Sequence, residues 1–136
     1  MESPVYVLDF DEAVCEKIGK FVPSPMSIEF YEDRLIVHKP HNFYGKRNIR
    51  NDVTVMKYQD ITRIIYKPDA RRVEIYGNGS YTYTKYRSDG TLPDVPDKVR
   101  NFKGGIVFFD IRFTQVDVVN EIETHTPFKV AESKGF

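Results

Sequence analysis

Apolar and polar residues alternate in several short runs of this chain, and a period of two is the pattern of half-buried β-strands. The first two runs lie within residues 28–37, where Glu32 and Asp33 supply turn chemistry between them. Later runs lie at 53–55, 61–65, 73–76, 80–86 and 106–111. We therefore predict an antiparallel meander, with residues 77–79 (Gly-Asn-Gly) as a hairpin turn, because glycine tolerates positive φ.

The pattern changes to helical spacing near the C-terminal end. Thr114 is the predicted start of an amphipathic helix, with Asp117 three residues later as a weak capping box. Pro127 is expected to terminate this helix. Its apolar stripe consists of Val116, Val118, Val119 and Ile122. Several strands followed by one such helix predict a mainly β fold with a C-terminal α-helix that covers a small curved sheet.

The N-terminal segment is predicted to be an appendage of the main domain. Residues 11–21 place apolar side chains at helical spacing, after a short run that reads as a strand or extended arm. Pro23 and Pro25 stop that short helix. We therefore expect an N-terminal arm with a short helix over 1–25, packed on a main domain at 26–130.

Three further segments show no periodic pattern. Residues 40–52 contain proline, glycine and asparagine, and they are predicted to form a basic surface loop. Residues 88–105 are the longest stretch of this kind and are predicted to be irregular. Residues 131–136 are predicted to be a flexible tail.

Composition limits the class of protein. The chain has 136 residues, enough for one domain with its own core, and 20 basic and 20 acidic side chains that cancel. Cys15 is the only cysteine, which excludes an internal disulfide and a cysteine-cluster zinc site. The sequence contains neither a signal-peptide pattern nor a long apolar run, so we expect a cytoplasmic protein without a transmembrane segment.

The charges are nevertheless segregated along the chain. Residues 1–33 carry eight acidic and two basic side chains, whereas residues 38–72 carry nine basic and three acidic ones. The two regions could attract each other within one molecule or link copies head to tail. An ordinary solvated surface explains the same pattern, since exposed ion pairs are worth only about 0–1 kcal/mol each.

The basic loop within that span supplies the candidate binding residues. It mixes cations with two aromatic residues, a composition that can stack on bases or insert beside phosphates. The plainer interpretation is a surface loop anchored by Phe43 or Tyr44. The candidate partner-binding residues are Lys39, Tyr44, Lys46, Arg47 and Arg50.

Three features together resemble a bacterial pleckstrin-homology-like (PH-like) domain: the hairpin at 28–37, the strand–Tyr58–Gln59–Asp60–Ile61–strand pattern at 55–64, and the late strand that leads into a terminal helix. The resemblance covers about three quarters of the chain. It implies a partly open barrel of two near-orthogonal antiparallel sheets, capped at one end by the helix. Members of this family bind lipids, peptides or other subunits, but the acidic first turn here argues against inositol-lipid binding by the usual route.

Catalytic chemistry is poorly supported by the sequence. His38, His41 and His125 are scattered, and Cys15 has no neighbouring histidine in sequence. We predict no catalytic residue, no metal site and no cofactor. An enzyme would require His38, Asp60 and His125 to converge in one cleft.

We therefore expect a non-enzymatic binding or scaffold module of a bacterial cytoplasm, whose partner is another protein or a second copy. An anionic lipid headgroup is the less favoured partner, and nucleic acid is not expected because the overall charge is zero. The alternative is a small-molecule or lipid carrier. Its cavity would be lined by Phe30, Ile75, Tyr83 and Phe108.

Overall fold

The computed structural model describes residues 2–9, 27–42, 49–85, 87, 91–111 and 116–134. These residues form eight strands, a 3₁₀ turn at Tyr58–Asp60 and one helix, α1, at Val118–His125. The strands are β1 (Tyr6–Asp9), β2 (Ser27–Phe30), β3 (Arg34–Asn42), β4 (Ile49–Lys57), β5 (Ile61–Lys67), β6 (Arg72–Lys85), β7 (Lys98–Asp110) and β8 (Ala131–Glu132). The predicted class, mainly β with a C-terminal helix, is confirmed.

All eight strands belong to one continuous sheet that curls into an open half-barrel. Strands β1 to β4 pair in sequence order as an antiparallel meander. Strands β4 and β5 then share one edge of β6, while β7 pairs along its other edge. The two separate near-orthogonal sheets expected from the sequence are therefore replaced by a single sheet that turns a corner between β4 and β5.

The hydrophobic core lies on the concave face of this sheet. On β2 and β3 every second side chain is fully buried, with Ile28, Phe30, Leu35 and Val37 all at 0% exposure. These side chains pack with residues from the other strands and from α1, namely Leu8, Met56, Ile61, Ile64, Val73, Ile75, Val118 and Ile122. Burial on this scale supplies the main favourable free energy of folding.

Strand β4 shows how pairing decides which residues of an alternating run face the core. The sequence pattern predicted a run through Val53 and Val55, but both valines are only partly buried. The residues that follow each of them, Thr54 and Met56, are buried instead. Met56 stands opposite the buried Leu35 of β3. Cross-strand neighbours share a face, so this register turns both valines to the convex side.

The predicted turn at Gly77–Gly79 is wrong, because β6 continues through it. At this point the strand paired along one edge of β6 changes from β5 to β4. The backbones lie so close together here that a Cβ on Gly77 would overlap the carbonyl oxygen of Asp60. On the opposite side β7 bulges at Gly104, whose φ is +58°, and Gly104 N–H donates to Asn78 Oδ1 at 2.8 Å. Gly77 therefore allows β6 to pass close to the turn, and Gly104 allows its partner β7 to bulge.

Two segments predicted to be irregular are largely strand. β3 extends to Asn42 and β4 begins at Ile49, so only the middle of residues 40–52 lies between strands. β7 begins at Lys98, and Asp97 closes its connection to β6 by accepting a hydrogen bond from Lys85 N–H at 2.6 Å. These strand ends have polar side chains on both faces, which removes the alternation that sequence analysis depends on.

Helix α1 begins later than predicted. Its N-cap is Asp117, whose carboxylate accepts from Asn120 N–H at 3.1 Å, and Thr114 lies outside the described residues. The helix ends at His125, before Pro127. The predicted stripe packs against the sheet: Val118 and Ile122 are buried, and Val116 and Val119 are partly buried against the core.

Both ends of the described chain join the sheet. β1 pairs with β2, which attaches the N-terminal arm as an edge strand, while the short helix expected over residues 11–21 and Cys15 lie outside the described residues. β8 pairs parallel to β5, and Ser133 N–H donates to Tyr66 O at 3.0 Å. Part of the predicted flexible tail is therefore a short strand, held by backbone hydrogen bonds.

Tyr58 joins the corner of the sheet to the end of α1. Its hydroxyl donates to Tyr31 O at 2.8 Å and lies 3.5 Å from His125 O, and its ring meets Phe128 edge-on. Burial raises the pKa of Tyr58 to about 12. His125 in turn stacks on Tyr6 of β1, with ring centroids 4.0 Å apart. Aromatic contacts therefore fasten the C-terminal end of the helix to both ends of the meander.

We predict that Gly77→Ala lowers the free energy of unfolding by about 1–3 kcal/mol, because its methyl group must displace backbone atoms of Asp60 and Ile61. Chemical denaturation measures this change. Gly104→Asn is the matched control, since the space there is open and asparagine tolerates positive φ. Equal stability of G77A and the wild type would contradict the crowded corner.

We predict that Tyr58→Phe costs about 0.5–1.5 kcal/mol of unfolding free energy, because it removes the donor to the Tyr31 carbonyl while keeping the ring. Thermal and urea unfolding measure the loss. Tyr66→Phe, at another partly buried tyrosine, serves as the control. A Y58F variant as stable as the wild type would show that this hydrogen bond does not contribute.

Candidate functional site: the distal concave face

The concave face changes from apolar to polar along the strands. Across β3, β4, β6 and β7, pairing aligns three successive rows of side chains. The first row is Leu35, Met56, Gly79 and Phe102; the second is Val37, Thr54, Tyr81 and Arg100; the third is Lys39, Asp52, Tyr83 and Lys98. We call the second and third rows the distal concave face.

The first row closes the core below this face. Gly79 leaves room for the ring of Phe102, which would lie 2.8 Å from a Cβ at that position, and Met56 approaches from the other side. Leu35 and Met56 are fully buried. The distal concave face is therefore built on a rigid, packed floor, which fixes the positions of its side chains.

On the distal concave face, two tyrosines of β6 lie beside two cations of β7. The rings of Tyr81 and Tyr83 lie 6.2 Å apart at 47°, and both are partly exposed. Their neighbours on β7 are Arg100, which is exposed, and Lys98, which is partly exposed. Tyrosine and arginine are enriched where proteins bind other proteins, because they give large contact areas with polar ends. The arrangement suits an acidic partner surface that also carries aromatic or apolar groups.

Asp52 gives this face a buried negative charge. Its side chain is in the third row between Lys39 and Tyr83, and the residue is only 8% exposed. A carboxylate beside a lysine is favoured by the opposite charge, so Asp52 offsets part of the positive charge of this row.

The structure brings together part of the binding site predicted from the sequence. Lys39 belongs to the third row, and Arg50 stands in β4 opposite Lys85 of β6, one alternation beyond Asp52. Tyr44, Lys46 and Arg47 lie outside the described residues. Lys98, Arg100 and the tyrosine pair were not among the predicted site residues, because the strand that carries the two cations was predicted to be an irregular segment. The sequence carries a signal for the tyrosine pair alone, because Tyr76, Tyr81, Tyr83 and Tyr86 lie close together.

A second charged cluster lies on the convex face, and its members contact one another. Glu74 is 4% exposed, and its carboxylate accepts from Arg72 Nη2 at 2.8 Å and from Tyr76 Oη at 2.7 Å, with Lys67 Nζ at 3.6 Å. Burial alone would raise the pKa of Glu74, but the Tyr76 hydrogen bond and the two cations outweigh it and lower the pKa. Arg63 lies over the Tyr76 ring at 4.3 Å. We assign this network to the stability of β5 and β6.

The residues required for an enzyme have separate partners. His38 pairs with Glu29 at 3.2 Å, whereas His125 pairs with Glu121 at 3.2 Å and stacks on Tyr6. Within the described ranges no group of three metal-ligating side chains is present. The distal concave face therefore offers binding groups, and the described histidines act in local contacts.

The carrier alternative places a cavity among Phe30, Ile75, Tyr83 and Phe108. Phe30 and Ile75, two of its proposed lining residues, are fully buried in the packed core. A surface groove of about 630 Å³ lies elsewhere, between β5, β8 and the start of α1. The described residues that line it include Tyr66, Arg71, Ile111, Asp117 and Glu132. Among the residues whose side chains the structure describes, none of those lining this groove belongs to the cavity proposed from the sequence.

Comparison with known proteins gives no relative of this chain: no family model, no curated protein and no solved structure matches it. Among the residues that the structure describes, no helix has the length and apolar character needed to span a bilayer.

We predict that Glu74→Gln lowers the free energy of unfolding at neutral pH by about 1–3 kcal/mol, because its buried partners lose a charged acceptor. The folded-state pKa lies below the ordinary 4.5, so the stabilisation is complete above pH 4.5 and disappears as the pH falls through the folded-state value. The stability gap between wild type and E74Q should therefore narrow in acid.

Urea unfolding over a series of pH values measures this gap. Glu32→Gln, at an exposed carboxylate, provides the control and should show little difference at any pH. A gap for E74Q that stays constant from neutral to acid pH would contradict the role of its charge.

Proposed function

We propose that this chain is a non-enzymatic binding or scaffold module of PH-like type, and that it binds an acidic protein segment on the distal concave face. The observation that carries the proposal is the alignment of Lys98 and Arg100 with Tyr83 and Tyr81 on a packed floor. Such an arrangement is preorganised, so little side-chain entropy is lost when a partner binds.

A protein partner accounts for this surface better than the other classes. Partly exposed tyrosines offer contact area to side chains, whereas a site for a lipid headgroup needs mainly cations. Two of the basic residues predicted from the sequence support the same surface, since Lys39 is in its third row and Arg50 is two residues from Asp52 on β4.

The test measures binding of a glutamate–tyrosine copolymer by fluorescence anisotropy at low and physiological salt. The variant Lys98→Ala with Arg100→Ala should weaken binding about tenfold, and added salt should weaken the wild type in the same direction. Lys57→Ala with Lys129→Ala is the matched control, because it removes the same charge from exposed positions elsewhere.

Three results would overturn the proposal. The first is an equal loss of copolymer binding in the control variant, which would show that binding depends on net charge alone. The second is stronger binding to vesicles with anionic lipid than to the copolymer, which would indicate a membrane ligand. The third is absence of binding by the wild type to the copolymer at low salt.

A further inference from the structure

The described sheet ends in three edge strands, β1, β7 and β8, and the outer edges of β1 and β7 carry complementary groups. In the described part of the chain, β1 pairs only with β2, and β7 pairs only with β6. An unpaired edge presents a row of backbone donors and acceptors, and proteins usually cover or charge it. Both edges belong to the same sheet, so the edge of one molecule can continue on the opposite edge of another.

Exposed apolar side chains concentrate at these same two edges. Of the large hydrophobic residues that are exposed within the described ranges, Val5 (64%) and Val7 (40%) lie at β1, and Val99 (64%) lies on β7. The others, Leu92 and Val95, lie in the connection that leads into β7. The convex side of β1 carries Val7, because the alternating residue Leu8 is buried on the concave side. Val99 likewise alternates with the concave residues Lys98 and Arg100.

The charges of the two edges are opposite. Asp9 ends β1 and is exposed, and β7 carries Lys103, also exposed, four residues after Val99. In a parallel alignment, Val5 of one copy beside Val99 of the next brings Asp9 to the start of the β7 bulge, where Lys103 lies.

We propose that this protein self-associates head to tail, with β1 of one copy added in parallel to the outer edge of β7 of the next. The contact is heterologous, so it extends into chains or closes into rings, unlike a twofold dimer. It uses the convex side of the edges and leaves Tyr81, Tyr83, Lys98 and Arg100 on the concave side. The contact involves a strand of four residues and is therefore weak and dependent on concentration.

Sedimentation velocity over a range of protein concentrations and salt tests this contact. The wild type should increase in mass with concentration at low salt. Asp9→Lys and Lys103→Glu should each weaken association about fivefold, since each sets like charges opposite one another. The double variant restores opposite charges and should return to within about twofold of the wild type.

Val99→Ser should also weaken association, whereas Val95→Ser, at an exposed valine outside the strand, should not. Thermal melts establish that each variant is folded. A wild type that stays monomeric at every concentration, or a double variant that melts normally but fails to regain association, would overturn the proposal. These positions differ from those in the copolymer assay, so either result stands without the other.

Discussion

The structure depends on one constraint, the sharing of a single edge of β6 by two strands. β4 and β5 can both pair with this edge only if the chain turns tightly between them, and the turn at Tyr58–Asp60 brings the Asp60 carbonyl against the backbone of β6. Only glycine fits at position 77. The bend that results curls the sheet, and the curl makes the concave face that α1 covers.

That concave face serves two purposes along its length. Near the bend it is apolar, and Phe30 and Met56 of the sheet are buried together with Ile122 of α1. Beyond the helix the same alternation continues, but the side chains become tyrosine, threonine, lysine and aspartate. The binding surface is therefore an extension of the core, and its rigidity comes from the packed row beneath it.

The charges of the molecule divide into structural and available groups. The carboxylate of Glu74 is surrounded by Arg72, Lys67 and Tyr76, so these charges stabilise the strands that carry them. The ends of β7 and β1 place cations and acids at sheet edges instead, where they discourage random edge pairing and select an oppositely charged partner. This division explains how a chain with no net charge presents distinct acidic and basic surfaces.

The sequence by itself determined the local elements with strong periodicity: the hairpin at Ile28 and Leu35, the strand at Ile61, and the helix stripe of Val118 and Ile122. These signals survive because each depends on side chains within one short segment. Only the tertiary structure decided that Gly77 lies inside a strand, that β7 begins at Lys98, and that Tyr83 shares a row with Lys39. Those features depend on strand pairing between residues far apart in the chain, and a local pattern carries no information on which edge a strand will find.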